Sequence, residues 1–214
     1  MSNIYKTIFS ILTIIILLFS SIYIKDFRID ASSDTLVAQN DKDFQFFNYY
    51  QKIFPTKNSL VVAIKSKNEI DQKLLGEINN LSNKINNLDE VSSVFNINKA
   101  PILFLNETSL IDLSKGDYET ILNTDFEIAS VLNEFNNSPI YKNQIINDKK
   151  NTTALIIFLK TNKKLEDLKK NKNLYINDKT YYKKKTDIDI DRNKLINKIR
   201  NIIAKSDNDY QYFL

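Results

Sequence analysis

Asp187, Asp189 and Asp191 alternate along the chain, the one place in its 214 residues where ligand spacing shows. A calcium loop opens this way, with oxygens at its first, third and fifth positions, a glycine at the sixth for the sharp turn and a closing glutamate at the twelfth. Here the sixth position is Arg192 and the twelfth is Lys198, so an incoming cation meets two positive charges instead of a turn and a ligand. Asp187 reads better as helix-start chemistry, a carboxylate set against the positive end of a helix dipole.

The chain has no histidine and no cysteine. That removes Ser-His-Asp and Cys-His catalysis, His or Cys metal sites and every disulfide, and leaves only oxygen and lysine chemistry. Gly76 and Gly116 are the only glycines, too few for a phosphate-cradling loop or a dinucleotide fingerprint. The sequence therefore offers no catalytic residue, no cofactor site and no metal site, and the expectation is a protein that is not an enzyme. Net charge is +4, and the excess is local: Thr161 to Lys185 carries nine lysines against Glu166, Asp167 and Asp178. Without arginine or regularly interleaved aromatics this segment does not read as a nucleic-acid surface, and a solvated loop is expected.

The elements that surround these residues follow from periodicity. From Asp41 to Phe54, Phe44, Phe47, Tyr50 and Phe54 recur on one helical aspect, widened by Tyr49 and Ile53, and Pro55 ends the run. This stripe is either a helix face packed on a core or a lipophilic contact surface, and these four rings are the candidate substrate-contact residues. Ser59 to Lys65 is short, apolar and β-branched, the mark of a buried strand. Asn68 can cap the helix that follows, with Asp71 near its first turn, and Ile70, Leu74, Ile78, Leu81, Ile85 and Leu88 give it a continuous apolar face. Val91 to Ile97 returns to strand character.

Leu110 to Leu113 and Tyr118 to Asn136 read as short helices within an insertion, about 101–143. Gln144 to Asn147 and Thr153 to Lys160 read as a hairpin. Asp187 to Lys205 is an amphipathic helix through Leu195, Ile196, Ile199, Ile202 and Ile203, and Tyr210 to Leu214 begins a last strand. With the insertion set aside the order is βαβ then βαβ. That order predicts an α+β domain with a ferredoxin-like split antiparallel sheet and both long helices on one face.

Ahead of this domain, Thr7 to Ile24 runs eighteen residues between Lys6 and Lys25 without a charge, a proline or a glycine. As a helix it spans roughly 27 Å, close to the ~30 Å hydrocarbon thickness of a bilayer. Lys6 precedes it with no acid, whereas Asp26 and Asp30 dilute Lys25 and Arg28, which favours a cytoplasmic N-terminus and an exported remainder. A cleaved signal peptide is the rival reading, but Phe19 and Ile22 flank the only small residues at the right depth, Ser20 and Ser21. The expected organisation is a membrane anchor over 1–25 and an extracytoplasmic domain over 26–214.

From Phe27 the segment FRIDASSDTLVAQNDKD, followed by FFNYYQKIFPTKNSLVVAI, resembles the start of the first extracytoplasmic domain of an RND-superfamily exporter of the MMPL type, the hydrophobe/amphiphile efflux-3 group. Ile29, Asp30, Ser32 to Val37, Asn40 and Asp41 carry the resemblance, then Asn58 to Ile64, Val91 to Val94 and Pro101. It extends more thinly through Pro139 to Lys160 and the closing helix. The resemblance implies a porter-type domain behind a first membrane helix, in a bacterial inner membrane, for export of hydrophobic or amphiphilic molecules. Its partners would be the bilayer, the remaining exporter helices or other subunits, and no nucleic acid. Such exporters continue into further membrane helices with proton-coupling residues. Because the present sequence stops at Leu214, the resemblance implies a domain truncated at its C-terminal end and no energy coupling of its own. The alternative is a single-pass anchored binding or scaffold module.

Overall fold

The computed structural model describes residues 3–24, 41–54, 58–171 and 179–214. Contacts divide the chain into two units, 1–56 and 57–214, and each is described by itself.

Among the described residues the N-terminal unit holds two helices, α1 (Asn3–Ile24) and α2 (Lys42–Ile53). In α1 every described side chain, from Ile4 to Ser20, is exposed, including Ile8, Phe9, Leu12, Ile16 and Phe19. Among the described residues no helix is long and apolar enough to cross a membrane. The described side chains of α1 stop at Ser20, while the helix and the uncharged tract both run on to Ile24. The resembling segment Phe27 to Asn40 lies outside the described residues.

The second unit is built on one four-stranded sheet of β1 (Ser59–Lys65), β2 (Val91–Phe95), β3 (Thr152–Leu159) and β4 (Gln211–Phe213), in the order β2-β3-β1-β4. Every neighbouring pair is antiparallel. β1 and β2 are thus parallel to each other across β3, and β3 and β4 are parallel across β1. Helix α3 (Gln72–Asn86) connects the first of these pairs; in the second, the connection contains α6 (Lys163–Lys170) and α7 (Lys179–Ile203). Directly opposed residues share a face. Val62 meets Leu155, Ile64 meets Thr153, and Ile157 meets Val94, all buried. On the other face Val61 and Phe213 are half or more exposed. The buried face joins Leu74, Leu75, Ile78, Leu81 and Ile85 of α3 and Leu195 and Ile199 of α7 in one core.

Several local expectations are corrected, each because a side chain or backbone group is engaged elsewhere. Asp71, and not Asn68, caps α3: its carboxylate accepts from Leu74 N at 2.8 Å. Ile70 is buried and its N–H donates to Lys150 O at 2.8 Å, which holds it outside the helix. β2 ends at Phe95 and not at Ile97, since Asn96 turns the chain into a 3-10 turn over Ile97–Lys99, accepting from Asn98 N and donating to Ser82 Oγ at 2.6 Å. The helix expected over Tyr118 to Asn136 is confined to α5 (Ile128–Asn137), because Thr120 bridges Pro101 and Ile102 N donates to Glu119 O. Helix α4 (Leu110–Lys115) is closed by a Ser109–Asp112 capping box and by Gly116, whose φ of 77° lies where a side chain is disfavoured.

Gln144 to Asn147 forms no strand. Only the bridge of Ile146 to Thr153 survives, and Asn147 Oδ1 accepts instead from the amides of Asn151 and Thr152, both at 3.0 Å, in the turn before β3. Thr161 to Lys185 is not a solvated loop. It contains α6 and the first turns of α7, with Leu168 buried and Lys163, Lys164, Lys170, Lys183 and Lys184 exposed; residues 172–178 lie outside the described residues. Asp187 does not start a helix either. It sits inside α7, where Ile188, Leu195 and Ile199 extend a buried stripe at helical spacing.

Candidate functional site

The four rings singled out by their spacing lie on or just after α2. Asp41 starts this helix, its carboxylate accepting from Asp43 N at 2.7 Å and Phe44 N at 3.4 Å. Phe54, the residue ahead of Pro55, leaves the helical region at φ −120°, ψ 76°, as the proline ring requires of its predecessor. Its N–H closes the last turn on Tyr50 O at 2.8 Å.

Between these caps the aromatics form a column. Phe46, Tyr50 and Phe54 fall four residues apart, with ring centroids 4.5 Å apart for the first pair and 6.3 Å, nearly parallel, for the second. Tyr49 meets Tyr50 edge-on at 5.8 Å. Phe44 is half-buried, whereas Phe47 is 54% exposed, Tyr50 45% and Phe54 66%. None of the described side chains of α2 is buried. The stripe is therefore a surface, and Phe46, at 63% exposure, belongs to it although the three-residue spacing passed it over. The signal was present in the sequence as the i, i+4 series 46–50–54.

This face can bury apolar area, on the order of 150–250 Å² for each aromatic ring, and turn the hydroxyls of Tyr49 and Tyr50 toward water. That combination suits contact with lipid, detergent or another apolar surface.

A second concave feature lies within the insertion. Glu134 of α5 is 9% exposed and accepts from the amides of Leu103 at 2.6 Å, Phe104 at 3.2 Å and Leu105 at 2.8 Å. Phe104 projects outward, 67% exposed, over a cleft of about 600 Å³ shared with Ser130, Asn133 and Asn137. The carboxylate is committed to three backbone donors, so it fixes the loop and has little left for a ligand. Tyr141 supports the same loop, donating to Pro101 O at 3.0 Å; burial pushes its hydroxyl up to about 12, and the Glu134 carboxylate adds to the effect.

Asp187, Asp189 and Asp191 follow one another along α7, where residues two apart do not face each other. Among the described residues no group of three or more His, Cys, Asp or Glu side chains stands together as a metal site. Comparison with protein-family models, curated proteins and solved structures returns no match.

Proposed function

We propose that the chain is the membrane-anchored N-terminal part of an exporter resembling the RND-superfamily transporters of the MMPL type. In this reading α1 is the first membrane helix, and 57–214 is a ferredoxin-like, porter-type domain outside the cytoplasm that serves hydrophobic or amphiphilic substrates. The observation that carries it is the strand order β2-β3-β1-β4, antiparallel throughout, behind a 22-residue helix whose described side chains are all exposed. Two interleaved βαβ units give that order, and an exposed apolar helix needs a bilayer or a partner to cover it. The aromatic face of α2 is the contact surface in this reading.

A second reading, a single-pass anchored binding or scaffold module, is favoured by the pairing of β4 with β1, which places all four strands within 57–214. Both readings require the anchor. The test is the full chain with a periplasm-active reporter at its C-terminus, followed by alkaline carbonate extraction and intact mass. The expected result is an active reporter, protein in the membrane pellet and a mass that includes α1. A mature chain starting near Ile22 would overturn the anchor. The reading frame downstream separates the two, since an exporter needs a series of further apolar segments.

A further inference from the structure

The lysine-rich segment forms one wall of a cleft of about 560 Å³ within 57–214. Its rim carries Lys160 from beyond the end of β3, Lys163 and Lys164 from the first turn of α6, and Arg192, Lys194 and Lys198 from α7. Leu159, Leu165 and Leu195 add apolar surface.

Among the described residues that line this space, two are carboxylates. Glu90 pairs with Lys198 at 2.9 Å, and Asp191 is divided between Lys194 at 3.5 Å and Lys164 at 3.8 Å. Among the described residues, Lys160, Lys163 and Arg192 form no ion pair. The first turn of α6 adds further positive character. Asn162 accepts from Leu165 N at 3.2 Å and, through its carbonyl, from Glu166 N at 3.0 Å. The amides of Lys163 and Lys164 have no acceptor among the described residues. Open amides at a helix start and converging cations make an anion site, and walls of low dielectric strengthen the field between them. Lys198 beside Glu90 holds that carboxyl below the usual range, and Lys160 acts in the same direction.

Volume and lining narrow the ligand. The cleft falls within the roughly 300–1,000 Å³ of small-molecule sites, well beyond what a bare phosphate fills. Its apolar surface suits a ligand with a non-polar part beside its charge. We propose that this cleft binds a phosphate ester, with the phosphate at the first turn of α6 between Lys163 and Arg192 and the organic part over Leu159, Leu165 and Leu195. The proposal is independent of the membrane reading, because the whole site lies within 57–214.

Two sources carry this chemistry, a soluble phosphate ester and a phospholipid headgroup. The test is calorimetric titration of the full chain, held in a non-ionic detergent, with glycerol 3-phosphate and separately with dihexanoyl phosphatidylglycerol, glycerol serving as the uncharged control. Saturable binding of at least one phosphate is expected. The combined Lys163→Glu and Arg192→Glu variant should weaken it by about tenfold or more, as loss of charge-assisted hydrogen bonds implies. Lys149→Glu makes the same kind of charge change at an exposed turn elsewhere and should stay within about twofold. Lys163 and Arg192 are exposed, so the double variant should melt like the parent; Lys163→Gln with Arg192→Gln, tested alongside, should weaken binding in the same direction. Binding of glycerol 3-phosphate assigns a soluble ester, and binding of the lipid alone assigns a headgroup. No saturable binding of either, or equal weakening by Lys149→Glu, overturns the proposal.

Discussion

Lys73 Nζ lies 3.1 Å from Asp207 Oδ2, tying the first turn of α3 to the loop that leads into β4. The same ammonium reaches Asp209 and stands 5.7 Å from the centre of the Tyr210 ring. Hydrogen bonds to Asp209 and then Asp207 push the Lys73 ammonium well above its usual range. Beneath this exposed cluster, Tyr210 is buried and β4 pairs with Ala63 to Lys65 of β1. The C-terminal strand is thus held by a wet ionic latch and by a buried ring and backbone ladder. The second does most of the holding, since exposed ion pairs contribute little.

A chain ending at Asp207 should therefore be much less stable than the full chain. It loses the Tyr210 burial, at a cost of about 3–5 kcal/mol by analogy with large-to-small core changes, and it leaves one side of β1 without backbone partners. Urea unfolding followed by circular dichroism measures this. Lys73→Ala should move the same midpoint only slightly. Equal midpoints for the full and shortened chains would remove β4 from the fold.

Acid should weaken this corner and the Glu90 pair together. Asp207 is held below the usual carboxylate range first by the Asp209 amide, which donates at 2.9 Å, and then by Lys73; Glu90 is held low chiefly by Lys198. A carboxyl with a depressed folded pKa contributes stability above its unfolded value, and that contribution is lost as pH falls through the folded one. Urea midpoints should decline below about pH 4, and Asp207→Asn combined with Glu90→Gln should flatten the decline. An unchanged acid limb in that variant would assign the decline to other carboxyls.

Alkali acts through tyrosines, and burial raises Tyr210 as well as the two most shifted. Burial pushes both Tyr141 and Tyr212 up to about 12, from a usual value near 10. A raised folded pKa contributes stability that is complete below the unfolded value and lost as pH rises through the folded one. Stability should hold to about pH 10 and fall toward 12, with phenolate absorbance rising as the protein unfolds. Tyr141→Phe should lose part of that slope, and also the hydrogen bond to Pro101 O.

Glu134→Ala should destabilise the domain by about 2–3 kcal/mol, because it leaves the amides of Leu103, Phe104 and Leu105 without their acceptor. Glu134→Gln keeps one carbonyl oxygen and should lose less. Hydrogen exchange at Leu103 and Leu105 should accelerate in both variants while exchange in α3 is little changed. Protection that stays the same would show that the loop is held by other contacts.

Serine at Phe47 and Phe54 separates surface from core on α2. Both rings are more than half exposed, so stability should change by less than about 0.5 kcal/mol, as is usual for surface positions. Binding of micellar detergent by the full chain should fall. A loss of several kcal/mol instead would mean that the rings are core.

Where one residue type and one period dominate, the sequence was sufficient. Ser59–Lys65 forms the strand its β-branched run indicates, and the i, i+3, i+4 recurrence from Leu74 to Ile85 becomes the buried face of α3. The absence of histidine and cysteine likewise bounded the chemistry without any structure. Tertiary structure decided whatever depends on partners distant in sequence. Asn68 and Asp71 are both competent caps, and the choice fell to Asp71 because Ile70 is held by Lys150, eighty residues later. The apolar spacing from Tyr118 is helical, but Thr120 pairs with Pro101 and leaves the helix to start at Ile128. Lys163 and Lys164 read as solvent loop because each is polar and locally unremarkable, and Lys160 reads as the end of a strand. Only the packing of α6 beside α7 brings them to Arg192, Lys194 and Lys198. Local period determines which face a segment can bury, whereas cleft, cap and register depend on a second segment that no local pattern specifies.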